Sequence, residues 1–313
     1  MASPAVHETE HEIVLSAPPQ AVFDLLAEVT GWPSVFPPTV HADYLERGEH
    51  EERIRLWATA NDEVKSWTSR RELDRDRLRI RFRQEVSQSP VAAMGGEWVI
   101  EPQPSGRTRV LLRHDFRAVG DDPANVAWIR QAIDRNSAAE LGSLEAAADR
   151  TLSGKDLVMS FQDQVRVDGP AKSVYDFLYA ADSWPERLPH VARVALTETT
   201  PHVQVLEMDT STADGSVHTT RSVRVCFPDD RIVYKQLRTP ALMSVHTGRW
   251  LIEEDERGTL VTSEHTVVIE PDAVTRVLGG GATVADARRY IREALGRNST
   301  TTMRHAKDYA EKA

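Results

Sequence analysis

The chain of 313 residues has a single cysteine, Cys226, which excludes an internal disulfide and a zinc site built from several cysteines. It has no run of about 18 apolar residues, so the sequence predicts no membrane-spanning helix. The residues before Glu12 also lack the apolar core of a secretory signal. Together these absences predict a cytoplasmic protein that has no membrane partner.

The sequence also lacks an excess of positive charge. The 38 lysines and arginines are outnumbered by 48 aspartates and glutamates, which gives a net charge of −10 and argues against nucleic acid as a partner. The Gly-x-Ser-x-Gly, His-Glu-x-x-His and strand-linked Gly-x-Gly-x-x-Gly patterns of well-known enzyme classes are missing. The sequence therefore predicts neither a metal ion nor another cofactor.

What the chain does contain is an internal repeat. A proline, an apolar helical pattern and a Trp-Pro pair occur in residues 17–33 and again in residues 169–185. The offset is constant, since 184 − 32 = 152 for the tryptophans and 170 − 18 = 152 for the prolines. An offset of about half the chain predicts two similar domains, which we place at residues 1–152 and 153–313.

The order of secondary structure is predicted to be the same in both halves. Each begins with a strand and a proline-initiated helix, continues with segments of period two, and ends in a helical pattern. The final helices are predicted at about residues 124–151 and 284–311. Residues 34–41 are predicted as an irregular connection, and no strand is predicted between Pro185 and Val203. The order indicates an α+β fold in which a curved antiparallel sheet grips a long helix.

A sheet curved around a helix often leaves an interior cavity, so polar residues on inward strand faces are candidates for chemistry. The pattern hydroxyl-x-Arg occurs on one strand of each half, as Ser69 and Arg71 and as Thr219 and Arg221. An inward arginine supplies fixed donors, keeps its proton, and can hold an oxyanion as charge develops. The alternative is an arginine at a sheet edge in a surface salt bridge.

Two histidines and two asparagines also recur. His114 and His265 are 265 − 114 = 151 residues apart, and each is either a proton shuttle or a hydrogen-bonded core residue. Asn136 and Asn298 lie at the rim of the apolar stripe of the two long helices, with 298 − 136 = 162. Each asparagine is predicted either to reach a ligand or to cap a neighbouring strand. The larger offset locates an insertion of about ten residues before the second long helix.

Tryptophans are the remaining candidates for substrate contact. Two pairs recur in the repeat, and a fifth tryptophan precedes the serine of the first hydroxyl-x-Arg pattern. Core packing is the more common role for the recurring four. The candidates are Trp32, Trp67, Trp98, Trp184 and Trp250.

These features in combination resemble a known family. The strand–proline–helix–Trp-Pro opening, the Trp-Thr-Ser-Arg-Arg strand at residues 67–71, the Gly-Gly-Glu-Trp strand at residues 95–98 and the asparagine-bearing last helix resemble bacterial polyketide aromatase/cyclases. These belong to the START/Bet v 1-like helix-grip superfamily. The duplication, which covers almost the whole chain, resembles the di-domain aromatase/cyclases of reducing type II polyketide synthases.

The resemblance implies an enzyme that directs first-ring aldol cyclisation and then dehydration of a ketoreduced poly-β-ketone, in the biosynthesis of aromatic antibiotics. It implies an acyl carrier protein that bears the substrate, and other synthase components such as a ketoreductase, as partners. The duplication is expected to give a monomer with an internal pseudo-dimer.

The resemblance also implies site residues. In single-domain members a serine and an arginine two residues later line the pocket, which matches the two hydroxyl-x-Arg pairs. A pocket glutamine of the family corresponds to His114 and His265, which leaves the identity of the proton carrier open. A pocket tyrosine corresponds to Thr39 and Val191, and neither can replace a phenol.

Two other interpretations stay open at this point. One is a helix-grip carrier or chaperone that binds a hydrophobic molecule without performing chemistry. The other is a chain in which one half is active and the other is a degenerate scaffold.

Overall fold

The repeat corresponds to two structural units. The computed structural model describes residues 5–60, 63–104, 106–154, 156–211 and 217–312. The first unit is Met1–Gly154 and the second unit is Lys155–Ala313. Each unit contains a seven-stranded antiparallel sheet and ends in a long helix. The prediction of α+β helix-grip folds in tandem is confirmed.

The elements of the first unit are β1 (His7–Leu15), α1 (Pro19–Ala27), α2 (Trp32–Val35), β2 (Thr39–Arg47), β3 (Glu51–Ala60), β4 (Glu63–Asp74), β5 (Arg79–Gln84), β6 (Val91–Pro102), β7 (Thr108–Ala118) and α3 (Pro123–Leu152). Those of the second unit are β8 (Val158–Val167), α4 (Ala171–Tyr179), α5 (Trp184–Arg187), β9 (Val191–Thr200), β10 (Val203–Ser211), β11 (Val217–Phe227), β12 (Arg231–Arg238), β13 (Met243–Asp255), β14 (Gly258–Ile269), α6 (Val274–Leu278) and α7 (Val284–Ala310).

The strand order is the same in both sheets. It is β1-β7-β6-β5-β4-β3-β2 in the first unit and β8-β14-β13-β12-β11-β10-β9 in the second. The first strand of each unit therefore pairs with the last, and the other strands follow as a meander. Because successive side chains alternate between faces, every second residue of a strand points at the long helix.

The strand after each Trp-Pro segment was not predicted from the sequence. β2 begins at Thr39, inside the segment predicted to be irregular, and β9 begins at Val191. Both strands lie at a sheet edge and pair on one side only. Seven of the ten β9 residues are exposed, so the hydrophobic alternation that marks a half-buried strand is weak there.

The long helices are held at their two ends by apolar clusters. In the second unit, Ile291 packs in one cluster near the start of α7, and Met303 and Ala306 pack in another near its end. In the first unit, Ile133 and Leu144 belong to two separate clusters along α3. The middle of each helix therefore faces the space between two cores. Within the described ranges, no helix is both long and apolar enough to cross a membrane.

Candidate active site

The second unit encloses a cavity between the concave face of its sheet and α7. Its volume is about 320 Å³. Tyr290 and Val277 line it and are also exposed, so the cavity reaches the surface beside them. Its wall is mainly apolar, with a few polar groups that converge from neighbouring strands. The lining side chains include Leu206, Met208, Thr220, Tyr234, Leu242, Trp250, Ile291, Ala294, Leu295 and Asn298.

His265 on β14 is the centre of a hydrogen-bonded group in this wall. The Tyr234 hydroxyl lies 3.2 Å from His265 Nδ1, and Nε2 of His246 lies 3.0 Å from the same nitrogen. On the other side of the ring, the Ser263 hydroxyl lies 3.2 Å from His265 Nε2. Tyr234, His246 and His265 all line the cavity. Residues from three adjacent strands thus fix the imidazole at the cavity surface.

The His265 ring has a hydroxyl partner on each nitrogen. In either neutral tautomer, the nitrogen that carries the proton donates to its partner and the other nitrogen keeps a lone pair. Burial lowers the pKa of His265 to about 4, and the charge of Arg292 acts in the same direction. Burial also lowers the pKa of His246 well below its usual value. Both rings are neutral near pH 7 and are able to accept a proton.

A glycine makes room for this arrangement. Gly248 on β13 pairs with both Tyr234 and His265 in the sheet. A Cβ atom at this position would lie within 2.4 Å of the Tyr234 hydroxyl oxygen. Only glycine therefore lets the tyrosine ring cross the neighbouring strand to reach the histidine.

Arg224 is a second polar group in the cavity wall. It lies on β11 two residues after Ser222, and both residues line the cavity. The residue is 2% exposed, and its guanidinium stacks over the Trp184 ring at 5.3 Å and donates through Nη2 to the Leu178 carbonyl. Burial lowers the pKa of Arg224, but an arginine remains a cation at any physiological pH. Its Nη1 atom has no hydrogen-bond partner in the part of the chain that the structure describes.

The sequence-based choice of residues in the second half was therefore wrong in register. Thr219 and Arg221 lie on the strand face opposite to Thr220 and Ser222, which line the cavity. The Thr219 hydroxyl donates to Asp209, a carboxylate that Arg193 also binds. β11 contains the hydroxyl-x-Arg pattern twice, three residues apart. Because three is odd, choosing the wrong copy reverses the face of every side chain.

In the first unit the predicted pair does face the interior. Ser69 and Arg71 are buried on β4, in the positions that match Ser222 and Arg224. Both terminal nitrogens of Arg71 already have acceptors, because Nη2 donates to Leu26 O at 2.7 Å and Nη1 to Ala27 O at 3.1 Å. Nη1 also donates to the Glu52 carboxylate at 3.1 Å. Arg71 therefore caps the last turn of α1 as half of a buried ion pair.

His114 faces the interior of the first unit but lacks the partners of His265. Its ring meets Phe82 edge-on at a centroid distance of 5.6 Å, and burial lowers its pKa to about 4. The residues that match Tyr234, His246 and Ser263 are Phe82, Met94 and Leu112. Within the described residues, no hydrogen bond reaches His114 Nδ1.

The other predicted contact residues divide between the two units. Trp184, Trp250 and Asn298 line the cavity of the second unit. Trp98 is buried in the core cluster of the first unit, and Asn136 is exposed on α3.

The remaining two tryptophans serve packing in the first unit. Trp32 lies against the Arg71 guanidinium at 5.3 Å. Trp67 is half-buried and packs beside Ile54.

Sequence reasoning also missed residues that depend on contacts between strands or between helix and sheet. Tyr234, His246, Ser222 and Arg224 are the cases on the cavity wall. A fifth is Glu140 on α3, which is half-buried and whose pKa burial raises to about 7. Glu140 lies seven residues, or two helical turns, after the buried Ile133. This spacing in the sequence could have indicated that its carboxyl faces inward.

Two other features of the molecule do not form a competing site. A depression of about 870 Å³ on the first sheet is lined mainly by outward side chains, whose charges pair, as in Arg83 with Asp115 and Arg113 with Glu10. The described part of the chain holds no group of three or more histidines, cysteines and carboxylates placed to bind a metal ion.

Comparison with known families gives the same description for both halves. The family described as "Polyketide cyclase / dehydrase and lipid transport" matches residues 6–149 and, through a second family model, residues 167–285. The two matches fall in the first and the second unit.

Comparison with curated proteins finds relatives over the whole length. The granaticin polyketide synthase bifunctional cyclase/dehydratase of Streptomyces violaceoruber is 48% identical over 312 residues, covering 99% of this chain and 96% of the relative. The actinorhodin polyketide synthase bifunctional cyclase/dehydratase of Streptomyces coelicolor is 48% identical over 316 residues, covering 98% of each.

Two crystal structures are similar along the full chain. The di-domain ARO/CYC BexL from the BE-7585A biosynthetic pathway has a TM-score of 0.92 and 54% identity, covering 97% of this chain and 99% of its own. The di-domain ARO/CYC StfQ from the steffimycin pathway has a TM-score of 0.88 and 38% identity, covering 97% and 98%.

Proposed function

The chain belongs to the polyketide cyclase/dehydrase family, and from this premise we propose that its second unit carries out aldol cyclisation and dehydration of a poly-β-ketone. The observation that carries the proposal is the neutral His265 group, held by Tyr234 and His246, in the same mainly apolar cavity as Arg224. A proton acceptor and a fixed cation are the two groups that enolate chemistry needs.

The reaction follows from these groups. A carbon between two carbonyls gives its proton to a neutral imidazole of His265 or His246, and the Arg224 charge stabilises the resulting enolate. The enolate carbon attacks a second carbonyl of the same chain, and the new alkoxide takes a proton back from the imidazolium. Dehydration repeats the pattern, because the base removes an α-proton and the hydroxyl leaves with a proton as water. One carbon–carbon bond forms and one water is released.

Folding the substrate is the larger task. A β-dicarbonyl carbon is acidic enough for a modest base, but a flexible chain has many carbons that can meet many carbonyls. The apolar side chains of the cavity wall, among them Leu206 and Leu295, restrict the substrate to the conformations that fit the cavity. Holding two reacting groups in one geometry can correspond to an effective concentration of roughly 10⁵ M or more.

We propose that the substrate arrives on an acyl carrier protein, after reduction by a ketoreductase, at the cavity edge beside Tyr290. The names of the full-length relatives, which are polyketide synthase components, support synthase partners. We also propose a monomer located in the cytoplasm. The single, buried and unpaired cysteine is typical of a reducing compartment.

Reconstitution tests the function directly. A minimal synthase and a ketoreductase are combined with or without this chain, and the products are separated and identified. We expect a single aromatised first-ring product when the chain is present, and a mixture of shunt products without it. Identical product mixtures in the two reactions would reject the proposal.

A non-catalytic carrier remains the rival, since the family description includes lipid transport and the cavity wall is mainly apolar. The same reconstitution separates the two functions. A carrier would bind the polyketide without changing the ratio of products, whereas an enzyme changes that ratio at substoichiometric concentration.

A further inference from the structure

The two buried arginines differ in one neighbour. In the first unit, Glu52 on β3 pairs with Arg71 across the sheet, and both side chains are almost fully buried. In the second unit, the position across from Arg224 is Gln204, with 204 − 52 = 152. The Glu52 carboxylate that neutralises Arg71 in the first unit is therefore replaced by the Gln204 amide opposite Arg224 in the second unit.

The Gln204 amide also occupies a backbone carbonyl that would otherwise be available to Arg224. In the first unit the Ala27 carbonyl accepts a hydrogen bond from Arg71. The matching carbonyl of the second unit, on Tyr179, instead accepts from Gln204 Nε2 at 3.4 Å. Arg224 thus loses both acceptors that Nη1 has in the first unit, and this explains why Nη1 is left without a described partner.

A nearby carboxylate does not restore the balance. Glu198 accepts hydrogen bonds from the Tyr179 hydroxyl at 2.7 Å and from Gln204 Nε2 at 2.9 Å. It also accepts one from the His202 backbone N–H at 2.8 Å. Its acceptors are thus engaged by other groups. A buried cation without a counter-ion is costly, and an anion in the adjoining cavity would lower that cost.

We infer that Gln204 determines the charge of the ligand that the second unit accepts. By leaving Arg224 without a counter-ion among the residues that the structure describes, it makes the cavity select an oxyanion on an apolar skeleton over the neutral molecule of the same shape. The enolate of a β-dicarbonyl and the carboxylate of an aromatic acid share this chemistry. Identifying the enolate as the natural ligand rests on the proposed function, whereas the charge selectivity does not. Gln204 is a positioning residue that acts through Arg224.

The substitution Gln204→Glu tests the inference and restores the residue type of the first unit. Glu198→Gln is present in every protein of the series, because the Gln204 amide donates to the Glu198 carboxylate and two carboxylates there would repel each other. The probes are 2-naphthoate and its neutral isostere 2-naphthamide, titrated by calorimetry into the whole chain. We expect the chain that keeps Gln204 to bind naphthoate at least about tenfold more tightly than naphthamide. In the Gln204→Glu protein the preference should disappear, while naphthamide binding stays within about threefold of its original strength.

Two further variants show whether the effect is local. Gln162→Glu adds the same charge on an exposed position of β8 and should leave the preference unchanged. Arg224→Met removes the cation and should abolish the preference, as Gln204→Glu does. The inference is wrong if naphthoate does not bind more tightly than naphthamide to the chain that keeps Gln204, or if the preference survives in Gln204→Glu.

A second probe distinguishes the two sources of the oxyanion. A naphthyl-substituted β-diketone is titrated with base in the presence of excess protein, and its enolate absorbance is followed. A lower apparent pKa of the bound diketone with the chain that keeps Gln204, lost in Gln204→Glu, identifies an enolate site. A preference confined to naphthoate identifies a carboxylate site, and either result supports the assignment to Gln204.

Product analysis of the same proteins distinguishes a failure of the proposed function from a failure of the inference about Gln204. Charge selectivity without any change in polyketide products would reject the proposed function and leave the inference standing. Normal cyclisation by a chain that binds both probes equally would reject the inference and leave the function standing.

Discussion

The two units share a topology but differ at the few positions where their interiors are polar. Both have an inward histidine on the last strand, a serine and an arginine on the same central strand, and a tryptophan over the arginine. The first unit surrounds its histidine with Phe82, Met94 and Leu112, and the second uses Tyr234, His246 and Ser263. The first neutralises its arginine with Glu52, whereas no described carboxylate forms an ion pair with the arginine of the second.

These differences separate packing from chemistry. A phenylalanine, a methionine and a leucine fill the space around the histidine, but they supply no hydrogen bonds like those in the second unit. A buried ion pair satisfies the arginine, but it leaves no charge for a ligand. The comparison therefore indicates that the recurring arginine, stacked on its tryptophan, is primarily a structural cap of the preceding helix. Its availability to a ligand depends on its neighbours.

The largest expected effect concerns the two histidines. His265→Gln keeps a polar side chain but removes the proton acceptor, so we expect the rate of aromatised product formation to fall roughly 100-fold or more. His114→Gln should lower it by less than about threefold, since that residue lies in the other unit. Reconstitution with both variants measures the rates, and circular dichroism checks the fold. A greater loss of rate with His114→Gln than with His265→Gln would indicate that the reaction takes place in the first unit.

The next effect concerns stability. Glu52→Ala leaves Arg71 buried without its counter-charge, and we expect the first unit to lose about 3 kcal/mol of unfolding free energy. Gln204→Ala removes hydrogen bonds to the Tyr179 carbonyl and the Glu198 carboxylate but no counter-ion of the arginine, and it should cost the second unit about 1–2 kcal/mol. Hydrogen exchange followed by mass spectrometry reports on the units separately. Equal losses would mean that the two arginines are balanced in the same way.

A smaller effect is expected from exchanging a residue between the units. Tyr234→Phe places the residue of the first unit in the second and removes one hydrogen bond to His265. We expect about a tenfold lower rate, with the ring packing retained. Tyr309→Phe changes an exposed tyrosine near the end of α7 and serves as the matched control. An unchanged rate in Tyr234→Phe would show that the hydroxyl does not assist the histidine.

Much of the fold could be predicted from the sequence because the information is local or repeated. The constant offset indicated the duplication, and helical and strand periodicity indicated the order of most elements. The two edge strands, β2 and β9, were not predicted because they pair on one side only and carry few large apolar residues.

The site was harder to predict because it depends on pairing between strands. The inward face of Ser69 and Arg71 follows from alternation along a single strand. Alternation alone could not choose between Arg221 and Arg224, since both complete a hydroxyl-x-Arg pattern. The contact of Tyr234 with His265 requires the register of three strands, which period-two patterns do not specify.

The smallest expected effect depends on pH and involves the first unit. The pKa of Glu140 is raised to about 7 in the folded state, from an ordinary value of 4.5. A raised carboxyl pKa contributes stability that is complete below the unfolded pKa and is lost as the pH rises through 7. The free energy of unfolding of the first unit should therefore be lower at pH 8.5 than at pH 5.5, and the fall should lie mostly below the folded pKa of about 7.

Glu140→Gln should reduce that fall, because an amide does not ionise, while Glu145→Gln on the exposed side of α3 should leave it unchanged. Urea denaturation of the three proteins at both pH values measures the difference. If Glu140→Gln followed the same pH dependence as the unmodified chain, the carboxyl would be solvated. Glu140 would then titrate as a surface carboxyl, and the pH dependence of the first unit would come from other groups.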